Sequence, residues 1–246
     1  MDKLRKRIWY EDDQFEAQFS TDYQKKHIQN RWDVFRQIII EHSFQNKKIK
    51  VLDLGCGDGI NILGLTQILD ELKLEYTITG SDYNELRLKR VQERFDNVEV
   101  RQIDILNNEI AEQYDLILFN HVLEHIPEDI LALENVSNIL NDEGLLILGV
   151  PNEGCLIAQI RNHVLHRKVL KYTDHVHFYT LKTLSEKVTK LFDIKRVYRE
   201  GFFLPHDRLS YEVRKYRTGR TFLSIMLKLF PSQSAGLILG LTKKDI

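Results

Sequence analysis

The most constraining stretch of this 246-residue chain is Lys50-Val51-Leu52-Asp53-Leu54-Gly55-Cys56-Gly57-Asp58-Gly59-Ile60. It opens as a short apolar run of strand type and then breaks into three glycines at alternate positions. Beyond it, Ile60, Leu63, Ile68, Leu69 and Leu72 recur at roughly helical spacing. The reading is strand, tight glycine turn, helix. Glycine lets the backbone take positive φ and lets a ligand approach the main chain. The helix start presents free N–H groups to a carboxylate or a phosphate.

Spacing narrows the ligand. The dinucleotide fingerprint needs a third glycine three residues after the second. Counted from either pair of glycines, that position is Ile60 or Ile62. The phosphate loop also fails, because no Gly-Lys-Ser/Thr ending follows. What remains is Asp-x-Gly-x-Gly-x-Gly, running from Asp53 to Gly59.

The rest of the chain alternates strand and helix patterns. Asp22 is placed to cap a helix whose Ile28, Trp32, Phe35 and Ile39 share one stripe. Strands are expected over 49–54, 76–81, 98–103, 115–120 and 145–150. Helices are expected to about Leu72, over about 85–95, and from Pro127 to near Leu140. Residues 151–179 carry no clear periodicity. A helix capped by Thr180 or Thr183, with Glu186 completing a Thr-x-x-Glu box, precedes a strand over 194–203. A second insertion, 204–234, precedes a last strand at 237–242. This βαβα rhythm predicts a parallel sheet with helices on both faces. Ligands of such sheets sit at the carboxyl ends of the strands, where Gly55–Gly59, Asp82, Asp104, Asn120 and Pro151 all fall.

The length suits one domain over 1–246, with an N-terminal helical cap over 1–44 and a ligand-binding core over 45–150. Net charge is −1, so no global pull toward nucleic acid or anionic membrane exists. The two cysteines, Cys56 and Cys155, suit a reducing compartment. The first residues lack the apolar core of a secretory signal, and no apolar run reaches spanning length. The expected location is cytoplasmic.

The glycine turn with its strand-end acids resembles that of the class I S-adenosylmethionine-dependent methyltransferases, in the small-molecule branch that includes ubiquinone biosynthesis. The resemblance covers residues 45–203 and, less specifically, 235–243. It implies a Rossmann-like, doubly wound, mostly parallel seven-stranded sheet with an antiparallel last strand beside strand five. It implies S-adenosylmethionine as cofactor and S-adenosylhomocysteine as product. Asp82 is expected to accept both ribose hydroxyls, although an aspartate there also suits a helix N-cap. Tyr83 would pack near the ribose or adenine. Asp104 matches the position that accepts from the adenine amino group, with the Ile105 backbone beside it; its other reading is a capping aspartate. Gly55, Cys56, Gly57 and Gly59 form the cofactor turn. Asp53 organises that turn more than it touches the ligand. Asn120 and His121, in Asn120-His121-Val122-Leu123-Glu124-His125-Ile126-Pro127, line the methionine end. His125 reads as structural.

His175 and His177, in Asp174-His175-Val176-His177-Phe178-Tyr179, alternate and would share a face of an extended segment. With His121 they are the candidate catalytic residues, one of them taking a proton from an acceptor hydroxyl. The other reading packs both over strand five. No close Cys or carboxylate set completes a metal site with the usual spacing, so no metal is expected. Two basic clusters occupy the insertions. One is Arg161, His163, His166, Arg167, Lys168 and Lys171. The other is Arg208, Arg214, Lys215, Arg217 and Arg220, interleaved with Tyr211 and Tyr216. They suit an anionic substrate group or a solvated face. The apolar run Phe222–Phe230 reads as buried packing, a lid, a dimer contact, or, with 208–230 as a whole, a membrane-surface contact. The insertions are expected to form the acceptor site and its lid. The expected function is O-methylation of a polar small molecule or glycan, anionic if the basic clusters serve it. An RNA methyltransferase and a non-catalytic cofactor-binding or interaction protein are the alternatives; nucleic acid is disfavoured because no dedicated module is visible.

Overall fold

A computed structural model describes residues 12–45, 48–107, 110–165 and 173–244. Helix α1 spans Asp22–His42, β1 Lys48–Leu54, α2 Ile60–Glu71, β2 Glu75–Ser81, α3 Glu85–Arg94, β3 Val98–Arg101 and β4 Tyr114–Asn120. Then come α4 Asp129–Ile139, β5 Leu140–Pro151, α5 Leu156–Ile160, α6 Leu181–Val188 and β6 Phe192–Phe202. The chain continues through α7 Asp207–Lys215, α8 Arg217–Leu229 and β7 Ser234–Lys243. The sheet has seven strands in the order β3-β2-β1-β4-β5-β7-β6. Strands β1 to β5 pair in parallel, and β7 runs antiparallel between β5 and β6.

Alternation within the strands sorts the core into two layers. Val51, Leu116, Leu118 and Ile147 face a cluster built with Phe35 of α1, Leu65 of α2 and Val91 of α3. Leu52, Ile117, Phe119 and Leu146 face the opposite cluster, with Leu133 of α4 and Leu184 of α6. These central strands are apolar on both faces, as strands covered by helices on both sides must be.

Local details differ from the sequence expectations. Thr21, not Asp22, caps α1, because its side chain accepts from the Gln24 N–H. Pro127 lies before α4, and a 3-10 turn over Leu123–His125 takes up the residues after β4. Thr180 caps α6 in a box closed by Thr183 rather than Glu186; the Thr183 hydroxyl already reaches the Thr180 backbone. Strand β3 ends at Arg101, two residues early. The second insertion is two helices. The apolar run is not buried packing, since Leu223 is its one buried residue while Phe222, Ile225, Leu229 and Phe230 are exposed. Trp9, Tyr10, His166, Arg167, Lys168 and Lys171 lie outside the described residues, as do the side chains of Arg208 and Tyr211. No helix among the described residues is long and apolar enough to cross a membrane.

Candidate active site

All three glycines of the turn sit at positive φ: +79° at Gly55, +56° at Gly57 and +92° at Gly59. The turn is clamped to the end of β2, where the N–H groups of Gly55 and Cys56 both donate to the Ser81 carbonyl at 2.7 Å. Asp82 then joins two strand-end turns. Its Oδ2 accepts from Gly57 N–H at 3.0 Å, and its Oδ1 accepts from Asn84 N–H at 2.9 Å. Asn84, not Asp82, caps α3. Burial pushes the Asp82 carboxyl up; the Asn84 bond, the Arg87 charge and the Gly57 bond oppose it without cancelling it. The Cys56 thiol is buried against Gly80, so the turn faces outward through its backbone at this position.

Asp53 lies behind the turn, fully buried, with its Oδ2 unbonded. Burial, helped by the Asp82 charge, pushes its carboxyl up to about 8. The folded chain therefore holds a proton there that the unfolded chain releases near 3.8. Between those two values the native state binds the extra proton, so stability falls as pH rises, by up to about 1.4 kcal/mol per pH unit. Asparagine mimics the protonated acid and lacks this dependence. Urea unfolding across this range should show D53N gaining on the wild type with every step up in pH. A difference that stays flat means Asp53 is ionised in the folded chain.

Asp58, which the sequence reading left unassigned, anchors the N-terminal segment over the turn. Its Oδ2 accepts from Gln14 N–H at 3.0 Å and its Oδ1 from Arg90 at 3.1 Å. Arg94 donates to the Asp58 carbonyl at 2.8 Å and to Asp13 at 2.7 Å, with its guanidinium 4.1 Å over the Phe15 ring. The signal was two arginines four apart on α3, which share a helix face. On the next rim, Tyr83 is exposed and its carbonyl accepts from Gln102. Asp104 accepts from Leu106 N–H at 3.0 Å and from the Asn107 amide, so it closes the turn after β3. Ile105 is buried, with its carbonyl held by Asn135 at 2.7 Å.

Beyond β4, Asn120 is buried with its Oδ1 unbonded. His121 takes a left-handed φ of +56°, costly for a residue with a Cβ, and its N–H donates to Gly149. Its Nδ1 lies 3.3 Å from Glu124 Oε1. The Glu124 carbonyl accepts from the N–H groups of Val176 and His177, which lays residues 173–179 across the turn. His175 and His177 then meet different partners. His175 Nδ1 is 2.5 Å from Glu153, which also pairs with Arg161 at 2.7 Å. His177 Nε2 is 3.0 Å from the Pro127 carbonyl and 3.6 Å from Asp129. Asp129 also takes the Tyr179 hydroxyl at 2.7 Å and Lys187 at 2.6 Å. His177 is thus part of the packing over α4.

The sequence reading also missed a polar cluster between α1 and β6. Arg31 donates twice to Glu200, at 2.9 and 3.3 Å. Burial first, then the Arg31 charge, pushes His27 down, and the charges of Glu200, Arg214 and His121 also act on it. Arg214 donates to the Phe202 carbonyl at the end of β6, at 2.7 Å. Arg220 donates to the Arg214 and Lys215 carbonyls, closing the end of α7. Strand β6 runs parallel to β5, so the second insertion begins at the same carboxyl edge as the glycine turn.

A family model described as a methyltransferase domain matches residues 25–191. The chain belongs to this family. Its family and its sheet are those of the class I S-adenosylmethionine-dependent methyltransferases. It is 29% identical over 144 residues to a ubiquinone biosynthesis O-methyltransferase of Acinetobacter baylyi, covering 56% of the chain and 60% of that relative. It is 34% identical over 104 residues to (S)-coclaurine N-methyltransferase of Papaver somniferum, covering 40% of the chain and 28% of the relative. These matches span 60% and 28% of the two relatives' lengths, less than two thirds of either. In fold it is similar to the N-methyltransferase NodS of Bradyrhizobium japonicum, solved with S-adenosyl-L-homocysteine. That match has a TM-score of 0.58 and 14% identity and covers 96% of this chain and all of the other, 100%.

Proposed function

We propose that this methyltransferase moves the methyl group of S-adenosylmethionine to an oxygen of a polar small molecule or glycan. The observation that carries the reading is the joining of Gly57 N–H and Asp82 across two strand ends. The turn fits the donor: its glycines take left-handed backbone and leave no side chain between it and a ligand. Each Asp82 oxygen spends one acceptor position on backbone and keeps another for a ribose hydroxyl. Gly55, Cys56, Gly57 and Gly59 present main chain to the donor, with Asp53 beneath. Tyr83 borders the adenosine, Asp104 and Ile105 take the adenine edge, and Asn120 and His121 wall the methionine end.

When bound, the donor supplies an electrophilic methyl on a cationic sulfur. The residues around it orient the acceptor in line and exclude water. An oxygen acceptor must also lose its proton near the transition state. In this proposal His121, beside Glu124 at the end of β4, takes it; His175 is the other candidate, and His177 packs against Pro127 and Asp129 instead. Transfer to nitrogen is the second reading, favoured by the coclaurine N-methyltransferase likeness. The acceptor lies, in this proposal, under the two insertions, with His27, Arg31, Glu200 and Arg214 as its polar wall.

Calorimetric titration of D82A with S-adenosylmethionine and S-adenosylhomocysteine tests the donor site. Both affinities should fall together, by on the order of 1.5–3 kcal/mol, because the ribose is common to both. Unchanged affinity in the folded variant removes Asp82 from the site. Product analysis with labelled methyl donor decides between oxygen and nitrogen.

A further inference from the structure

Glu124 presents an unsolved problem in charge. It lies in the 3-10 turn after β4, is fully buried, and neither carboxylate oxygen has a hydrogen bond. A buried carboxylate without hydrogen bonds is costly, and His121 Nδ1, 3.3 Å from Oε1, stands close without bonding it. Two more imidazoles, those of His125 and His175, also stand next to it. One ligand atom each from Glu124, His125 and His175 fall within 4.8 Å of one another, and the two rings meet edge to face at 4.8 Å between centroids.

We propose that Glu124, His125 and His175 bind a divalent first-row transition ion, with Glu153 and Asp174 orienting the imidazoles. His175 Nδ1 is engaged by Glu153 at 2.5 Å. His125 Nδ1 lies 3.3 Å from Asp174 Oδ1, an ion-pair distance without hydrogen-bond geometry. His175 is therefore left with Nε2 as its ligand nitrogen, and His125 Nε2 is 4.0 Å from Glu124 Oε1. A carboxylate behind each metal-binding histidine is the usual way its tautomer and orientation are set. Glu153 is itself fixed by Arg161. Bond lengths of about 2.0–2.2 Å require ligand atoms about 3.4 Å apart around a tetrahedral ion, so the set closes by about 1 Å on binding. Two imidazoles and one carboxylate suit zinc, iron or nickel better than magnesium or calcium.

The set was hidden in the sequence because its members come from two segments fifty residues apart, brought together by the Glu124 carbonyl and the N–H groups of Val176 and His177. The proposal departs from the sequence expectation of a site without metal. His121 is 3.3 Å from the same Glu124 oxygen, so the ion would sit beside the proposed methyl-transfer centre. An acceptor oxygen on its open position would ionise more readily. That last role rests on the methyltransferase reading; binding of the ion does not.

The test uses the full chain, stripped with chelator and titrated with Zn²⁺ by calorimetry, and with Co²⁺ followed by its visible ligand-field bands. One site per chain is expected. Glu124→Gln and His175→Ala should each weaken it by more than about 100-fold, and Glu153→Gln, a positioning change, by about 10–100-fold with S-adenosylhomocysteine affinity unmoved. His163→Ala, outside the set, should bind as the wild type. If circular dichroism shows Glu124→Gln unfolded, His175→Ala carries the test. Failure to bind either ion, or binding that survives both Glu124→Gln and His175→Ala, overturns the site. Binding of S-adenosylhomocysteine without ion binding overturns the metal site alone. Ion binding without S-adenosylhomocysteine binding overturns the methyl-transfer reading and leaves the site standing.

Discussion

Alanine in place of Gly55 should cost about 2–5 kcal/mol of stability and remove donor binding. A Cβ there would stand 2.3 Å from Val122 Cγ2, at a φ of +79°. The left-handed backbone alone costs about 1–2 kcal/mol for a residue with a Cβ. Forcing Val122 aside adds about 1–3 kcal/mol. Val122 lies between His121 and Glu124, so its displacement also disturbs the far wall of the site. The three glycines should grade by what each Cβ meets. At Gly59 the nearest atom is Phe95 Cε2 at 2.7 Å; at Gly57 it is the flexible end of Arg87 at 3.4 Å. Gly57→Ala should therefore bear only the backbone cost, about 1–2 kcal/mol. Urea unfolding and S-adenosylhomocysteine titration of the three variants give the order Gly55, Gly59, Gly57 from worst to mildest. An equal loss at all three would mean that strain in the turn, not the neighbours, decides.

The second large effect is expected at Arg31. Its fork on Glu200 ties α1 to β6 across 169 residues of chain, and the two side chains are 19% and 11% exposed. Arg31→Met leaves Glu200 buried without its counter-charge, a loss of about 3–5 kcal/mol. Arg31→Met with Glu200→Met should recover most of it, since the penalty lies in the orphaned charge. The pH dependence has a definite sign. Burial pushes the Glu200 carboxyl up, but the Arg31 charge and hydrogen bond outweigh it and hold the group below its ordinary 4.5. The pair's contribution is present above that value and is lost as pH falls through the lower, folded one. In Arg31→Met the carboxyl protonates more easily, so the gap from the wild type should narrow in acid. A gap that is constant with pH would show that Arg31 acts through packing alone.

The fold was readable where burial and chain geometry agree. Tyr114–Asn120 is apolar throughout because helices cover both its faces, and such a run has few other uses. The glycine turn was readable because each glycine answers a backbone requirement that no other residue meets. Partnerships between distant segments were not readable. Nothing in the order of residues ties Glu124 to His175, Asp58 to Arg94, or Arg31 to Glu200. Each pair is made by the sheet, which carries separate strand ends to one edge. The helix α7 was missed for another reason: it is rich in charge, and its register shows only against the α8 neighbour that Arg220 holds to it.

Strand β7 lies between β5 and β6, and among the described residues β6 pairs with no other strand. A growing chain makes β6 first, then α7 and α8, and β7 afterwards. Through that interval β5 offers an open, apolar edge in Leu146 and Leu148, and β6 waits with its whole ladder unpaired. Naked edges of this kind capture other chains. Arg214, bonded to the Phe202 carbonyl, belongs to the part already made, and gives β6 a local tether while it waits. Arrival of β7 closes both edges in one step, which makes this late strand the point at which a newly made chain stops being an aggregation hazard.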